Sequence, residues 1–198
     1  IADISSRENR GGNFGIMRAM DNLGAVCGII ISISLIGILG FRKLFFLAAI
    51  PSLAAVLLII FFIKEDRQSE RKVYKGFRLR DLDPNFRRFL FSSAIFALGS
   101  FSYSFLLVYA REYGFKITTV PVLYLIFTAV AFLVSIPLGR LSDRIGRKKV
   151  IMLSFLFWGI VCGSFIFIHT GWSIVVTFIF YGLHKGALET VQKTFVSE

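Results

Sequence analysis

Six apolar blocks separated by short charged segments set the limits on what this chain can fold into. Counted outward from the charges, they lie at residues 22–41, 44–63, 89–110, 117–139, 150–168 and, shorter, 170–184. The first five each hold about the twenty residues that a helix rising 1.5 Å per residue needs to cross roughly 30 Å of hydrocarbon. The sixth continues helically through Lys185 and Glu189 to about residue 196. A water-soluble domain is about 45–50% apolar and arranges its apolar residues in periodic stripes. Here 56% of residues are hydrophobic, 23 of them Phe, and they come in blocks. The pattern predicts an all-α membrane protein with six transmembrane helices, because hydrocarbon offers backbone polar groups no partner outside their own helix. The 22–41 block is too long for a signal peptide and lacks a small-residue cleavage site.

The net charge of +11 invites a nucleic-acid reading, but its distribution argues for topology instead. If both ends are cytoplasmic, segments 1–18, 64–88, 140–149 and 185–198 carry 19 of the 23 Lys/Arg, and the outer segments carry four. The inverted orientation violates the positive-inside bias. The expected partner is therefore the lipid bilayer of the plasma (inner) membrane, not nucleic acid. Cys27 and Cys162 lie in apolar blocks and read as small hydrophobes. With no disulfide framework and no metal-ligand spacing, neither a metal nor another cofactor is expected.

The blocks translate into helices at about 14–40, 44–63, 86–110, 119–141, 150–168 and 172–196. Gly24 and Gly28 in the first, and Gly159 and Gly163 in the fifth, have the small-xxx-small spacing that lets helices approach closely. The Gly40–Lys43 turn returns the second helix antiparallel, and Pro51 kinks it. Residues 64–88, with nine Lys/Arg and five Asp/Glu, read as a solvated linker. Asp83-Pro84 closes it as a helix start. Ser93, Ala97, Ser100 and Ser104 recur at spacings of four, three and four, on one face of the third helix, for tight packing or as the wall of a polar cavity. In the sixth helix Lys185, Glu189 and Lys193 recur every four residues, so charges on one face can pair.

Between the fourth and fifth blocks stands Gly-Arg-Leu-Ser-Asp-Arg-Ile-Gly-Arg-Lys-Lys, residues 139–149, whose five Lys/Arg exclude it from hydrocarbon and predict a tight hairpin. Gly139 and Gly146 permit close packing and a sharp reversal. Asp143 can cap a helix N-terminus or pair with an Arg. Arg144, Arg147 and Lys148 hold the segment at the cytoplasmic face. Gly139, Leu141, Ser142, Asp143, Arg144, Gly146, Arg147 and Lys148 match without exception a loop pattern, Gly-x-Leu-(Ala/Ser)-Asp-Arg-x-Gly-Arg-(Arg/Lys). That pattern makes the chain resemble the major facilitator superfamily of secondary transporters. Arg7-Glu-Asn-Arg-Gly11 with Arg18, Asp21, Gly24 and Gly28 resembles the approach to that family's fifth helix, and 105–114 the end of its seventh.

The resemblance implies a two-bundle (6+6) fold of which this chain is a fragment, covering about helices five to ten of twelve. Residues 1–63 would be the last two helices of the N-terminal bundle, 64–88 the central linker, and 89–198 the first four helices of the C-terminal bundle. The full-length transporter's remaining helices would then be partners. The resemblance further implies that Asp143 latches a cytoplasmic gate. Arg18 with Asp21, and Lys185 with Glu189, are expected as conformational charge pairs. The expected activity is alternating-access transport of a small solute of unknown identity, with protons as coupling ion. Efflux of drug-like or amphipathic compounds is favoured over sugar or metabolite uptake, because few inward charges are in view. Ser100, Tyr103, Ser104, Tyr124 and Tyr181 are candidates for the substrate cavity. A membrane enzyme is disfavoured, since His169 and His184 fall on opposite sides and the acids near the membrane, Asp21, Asp143 and Glu189, sit at its edge. A non-transporting half-size scaffold or subunit is the alternative from a different class. In right-side-out vesicles, an impermeant maleimide should leave Lys149→Cys unlabelled and label Lys116→Cys. Labelling of Lys149→Cys from outside would contradict the topology.

Overall fold

The computed structural model describes residues 8–62, 82–116, 119–167 and 170–196. Its elements are α1 (Arg10–Phe62), α2 (Pro84–Gly99), α3 (Tyr103–Glu112), α4 (Val120–Ile145), α5 (Arg147–Phe167) and α6 (Gly171–Val196), with no strand among the described residues. Among the described residues five helical stretches are long and apolar enough to cross a membrane, α2 and α3 counting together as one. The chain divides into two compact units, Ile1–Ile31 with Ser102–Glu198, and Ser32–Phe101.

Helix α1 holds 53 residues, enough at 1.5 Å per residue for two crossings. The turn expected over Gly40–Lys43 shrinks to one non-helical residue, Gly40, at φ 67° and ψ 170°, and helix resumes at Phe41. Only glycine reaches that backbone region without strain. Pro51 lies inside the helix, as expected.

The second unit carries a surface that water would not tolerate. Phe41, Phe45, Phe46, Phe61 and Phe62 are each at least 70% exposed. A helix apolar on all sides is stable where hydrocarbon solvates it. Asp83 caps α2 by accepting from the Asn85 and Phe86 amides at 2.8 and 3.2 Å, with Pro84 in the first turn. Helix therefore begins inside the expected 64–88 linker, of which residues up to 81 lie outside the described residues.

One expectation needs correction. The single helix read over 86–110 is interrupted: α2 stops at Gly99, Ser100 is extended (φ −98°, ψ 135°), and α3 restarts at Tyr103 behind the N-cap Ser102. The Ser100 hydroxyl donates to the Ala97 carbonyl at 3.1 Å, and Ser102 Oγ accepts from the Ser104 amide at 3.3 Å. Serine hydroxyls compete with helical hydrogen bonds in this way, which favours ends over interiors. Ser93, Ala97, Ser100 and Ser104 therefore do not share a single helix face.

In the first unit, α6 is the central element, packed against both α4 and α5. Its buried residues, among them Thr177, Phe178, Tyr181, Ala187 and Val191, run along most of its length. Gly182 and Gly186 make the approach to α4 possible. A Cβ at Gly182 would lie 2.6 Å from the Phe127 carbonyl oxygen, and one at Gly186 would lie 2.5 Å from Val134 Cγ2. The glycines singled out by spacing behave differently, for nothing lies within 4 Å of a Cβ built at Gly24, Gly28, Gly159 or Gly163. Against α5, α6 is pinned by a polar contact: the buried His184 has its Nδ1 2.9 Å from both the hydroxyl and the carbonyl oxygen of Ser154. Gly182→Ala and Gly186→Ala should each destabilise the protein by about 1–3 kcal/mol through overpacking, read as a lowered unfolding midpoint in detergent.

Candidate functional site: a latched helix end and a charged cavity

The expected hairpin at 139–149 proves to be mostly helix. Helix α4 continues through Ile145, and the whole reversal falls on Gly146 (φ 95°, ψ 142°) before α5 begins at Arg147. Asp143 is thereby carried on a rigid turn of α4 instead of a loop. Its Oδ1 accepts from the Gly11 amide and its Oδ2 from the Gly12 amide, both at 2.8 Å. These amides belong to the first turn of α1, where helical N–H groups have no partner of their own and the helix dipole favours negative charge. Arg147 approaches the same carboxylate at 3.7 Å. Both contacts that the sequence left open for Asp143, the helix cap and the Arg pair, occur together.

Close backbone approach makes this cap possible. A Cβ at Gly11 would lie 2.5 Å from Asp143 Oδ1 and 2.6 Å from the Gly139 carbonyl oxygen. One turn further along α1, a Cβ at Gly15 would lie 2.6 Å from the Ser135 carbonyl oxygen. Ser142, 1% exposed, donates its hydroxyl to the Gly139 carbonyl at 2.7 Å, while Arg144 and Lys148 are exposed and Leu141 is half-buried. The Gly11/Gly15 pair has the same four-residue spacing as Gly24/Gly28. Sequence reasoning singled out only the latter for packing.

Beyond this seam α1, α3, α4 and α6 surround a cavity of about 260 Å³. One wall is ionic. Arg18 from α1 pairs with Glu189 from α6 and stands 3.4 Å from Asp21, while Lys185 stands 3.4 Å from the other oxygen of Glu189. Two cations and two anions balance. Another part of the lining is aromatic: Tyr103, Tyr124 and Phe127 have ring centroids 5.0–5.8 Å apart. Asn22 and Thr128 add polar groups to the lining.

The two charge pairs expected from sequence thus join in one network, a link invisible in sequence because Arg18 and Glu189 are 171 residues apart. Tyr103 and Tyr124 line the cavity, as does Phe127, which sequence reasoning missed among 23 phenylalanines. Tyr181 instead belongs to the core, 1% exposed and edge-on to Phe127 at 5.1 Å. Ser100 and Ser104 are exposed and outside the cavity lining. Among the described residues no cluster of His, Cys, Asp and Glu is arranged to hold a metal ion.

The sequence profile of the Major Facilitator Superfamily matches residues 1–88 and 89–198. The chain is 30% identical over 206 residues to the uncharacterized MFS-type transporter MJ1317 of Methanocaldococcus jannaschii, covering 100% of this chain and 52% of that protein. It is 26% identical over 208 residues to the multidrug resistance protein MdtG of Salmonella arizonae, covering 99% of this chain and 51% of MdtG. Against MdtG of Salmonella paratyphi C the figures are 26% over 210 residues, 99% and 51%. The chain spans about half the length of the curated relatives it matches. No solved structure matches it.

With Cys27 and Cys162 replaced by Ser, Gly12→Cys and Arg140→Cys should cross-link, since a Cβ at Gly12 lies 3.5 Å from Arg140 Cγ. Adding Asp143→Asn, which turns an acceptor into a donor facing an N–H group, should cut the cross-linking yield several-fold.

Proposed function

The chain belongs to the Major Facilitator Superfamily, and on that premise we propose that it works within a secondary active transporter that moves a small solute by alternating access. The observation that carries the proposal is the closed end of the first unit. Asp143 caps α1, glycine-mediated contacts seal the seam behind it, and the cavity lies beyond. This arrangement supports a carrier with one end shut. The concentration of Lys/Arg supports the cytoplasmic, inner-membrane side as the shut end. In this reading the Asp143 cap is the cytoplasmic latch and Arg18–Glu189 a second lock nearer the cavity.

Residues 1–63 serve as the last helices of one bundle, 64–88 as the linker and 89–198 as the opening helices of the other. Gly24, Gly28, Gly159 and Gly163, open to their surroundings in this chain, serve to pack against further helices. The solute is amphipathic. Three clustered rings, tilted or edge-on to one another, accept an apolar group, while the balanced ionic wall gives a bare ion no net charge to bind against. Efflux driven by protons is the favoured direction, supported by the likeness to proteins named for multidrug resistance.

The intact gene product reconstituted in proteoliposomes, tested on a panel of amphipathic dyes and sugars with and without a pH gradient, should move dyes and require the gradient. Asp143→Asn should slow transport about ten-fold while leaving a monodisperse protein, a barrier change of about 1.4 kcal/mol. Sugar movement without dye movement would overturn the substrate class, and no gradient dependence would overturn the coupling.

A further inference from the structure

The four charges lining the cavity form an ordered row whose two ends are open. In sequence of contact they run Asp21, Arg18, Glu189, Lys185, alternating in sign. The inner two are saturated, since Arg18 meets both acids and both oxygens of Glu189 are engaged. The outer two each meet one member of the row, Asp21 on Arg18 and Lys185 on Glu189, both at 3.4 Å. Among the described residues Asp21 and Lys185 make no ion pair with each other. They are also the more open pair, 54% and 34% exposed against 23% and 27% for Arg18 and Glu189.

Helix directions bring these open ends to one level. Gly11 meets Gly139 and Gly15 meets Ser135, so α1 runs antiparallel to α4. Gly182 meets Phe127 and Gly186 meets Ala131, so α6 runs parallel to α4 and antiparallel to α1. Asp21 follows Arg18 by three residues and Lys185 precedes Glu189 by four. Both therefore stand one helical turn, about 5 Å, beyond the Arg18–Glu189 pair, on the side away from the Asp143 cap. Tyr103, Tyr124 and Phe127 line the same cavity.

We propose that the cavity takes a small zwitterionic solute, its cationic group on Asp21, its anionic group on Lys185 and its apolar part against the three rings. The inference deepens the transport reading above and rests on it.

The charge balance separates this class from its neighbours. The row is neutral, so a solute with one charge brings a net charge into a low-dielectric site, which is costly. An uncharged solute takes water from the Asp21 carboxylate and the Lys185 ammonium and replaces none of their hydrogen bonds. A zwitterion adds no net charge and gives each open end a partner. The cavity volume of about 260 Å³ restricts the occupant to a small molecule.

The test is equilibrium binding to the intact protein in nanodiscs of phosphatidylglycerol, which offers no zwitterionic headgroup. The probes share one phenyl group: radiolabelled amino acids with amine and carboxylate one to six carbons apart, the matched amine and the matched acid. At least one amino acid should bind about ten-fold tighter than both matched compounds. Asp21→Asn should reduce it to the affinity of the matched acid, and Lys185→Gln to that of the matched amine. Loss of packing alone would not split the two selectivities in this way. A wild-type protein that prefers no zwitterion, or an Asp21→Asn protein that keeps the preference, would overturn the proposal. Should Lys185→Gln not fold, Asp21→Asn decides, since it alters a half-exposed side chain. Phosphatidylethanolamine carries the same two charges: if adding it to the nanodisc displaces the amino acid, the natural zwitterion is a lipid headgroup, and if it does not, a water-borne solute. A protein that binds the zwitterion and moves no compound in proteoliposomes counts against the transport reading alone. One that moves dyes without preferring a zwitterion counts against the substrate class alone.

Discussion

A carboxylate set against the first turn of a helix joins α1 to α4 in the first unit. The leading N–H groups of α1 have no partners within their own helix, and leaving them dry costs on the order of 1–3 kcal/mol each. Asp143 accepts from two of them, at Gly11 and Gly12, and adds the attraction between its charge and the helix dipole. The position is reachable only because Gly11, Gly15 and Gly139 lack side chains where α1 and α4 come closest. Parting these helices exposes amides that only water can then satisfy. Either partner satisfies the amides, so the cap costs little more than the exchange of water for carboxylate.

The second layer of contacts differs in kind. Arg18, Asp21, Lys185 and Glu189 hold α1 to α6 through charge, in a cavity also lined by aromatic rings. A backbone-directed cap responds chiefly to whether water can enter. An ionic network depends on the balance of its charges. The two lie along one seam and join α1 to two different helices, α4 and α6.

Much of this was legible in the residues. Apolar blocks of transmembrane length announced the helices, and the 139–149 run announced where α4 and α5 reverse. Asp83-Pro84 announced the start of α2. The break at 99–102 was not legible in block hydropathy, because Ser100 and Ser102 are polar without being charged and disrupt the helix through local hydrogen bonds. Nor could spacing choose among glycine pairs. Gly24/Gly28, Gly159/Gly163, Gly11/Gly15 and Gly182/Gly186 share the same interval, and what separates the last two is the partner backbone that meets them.

The sequence by itself determined that the chain is a set of membrane helices, that its charges gather in a few segments between them, and that Asp143 stands at a reversal. These follow from transfer free energies and local backbone rules, which act on each stretch without reference to the others. The tertiary structure alone decided that Asp143 caps α1, that Arg18 meets Glu189 across 171 residues, and that Tyr124 faces a cavity while Tyr181 is buried in the core. Each of these depends on the rotation and depth of one helix against another. The helix–helix packing that sets them in a membrane turns on sub-ångström differences in backbone approach, which no interval along the chain encodes.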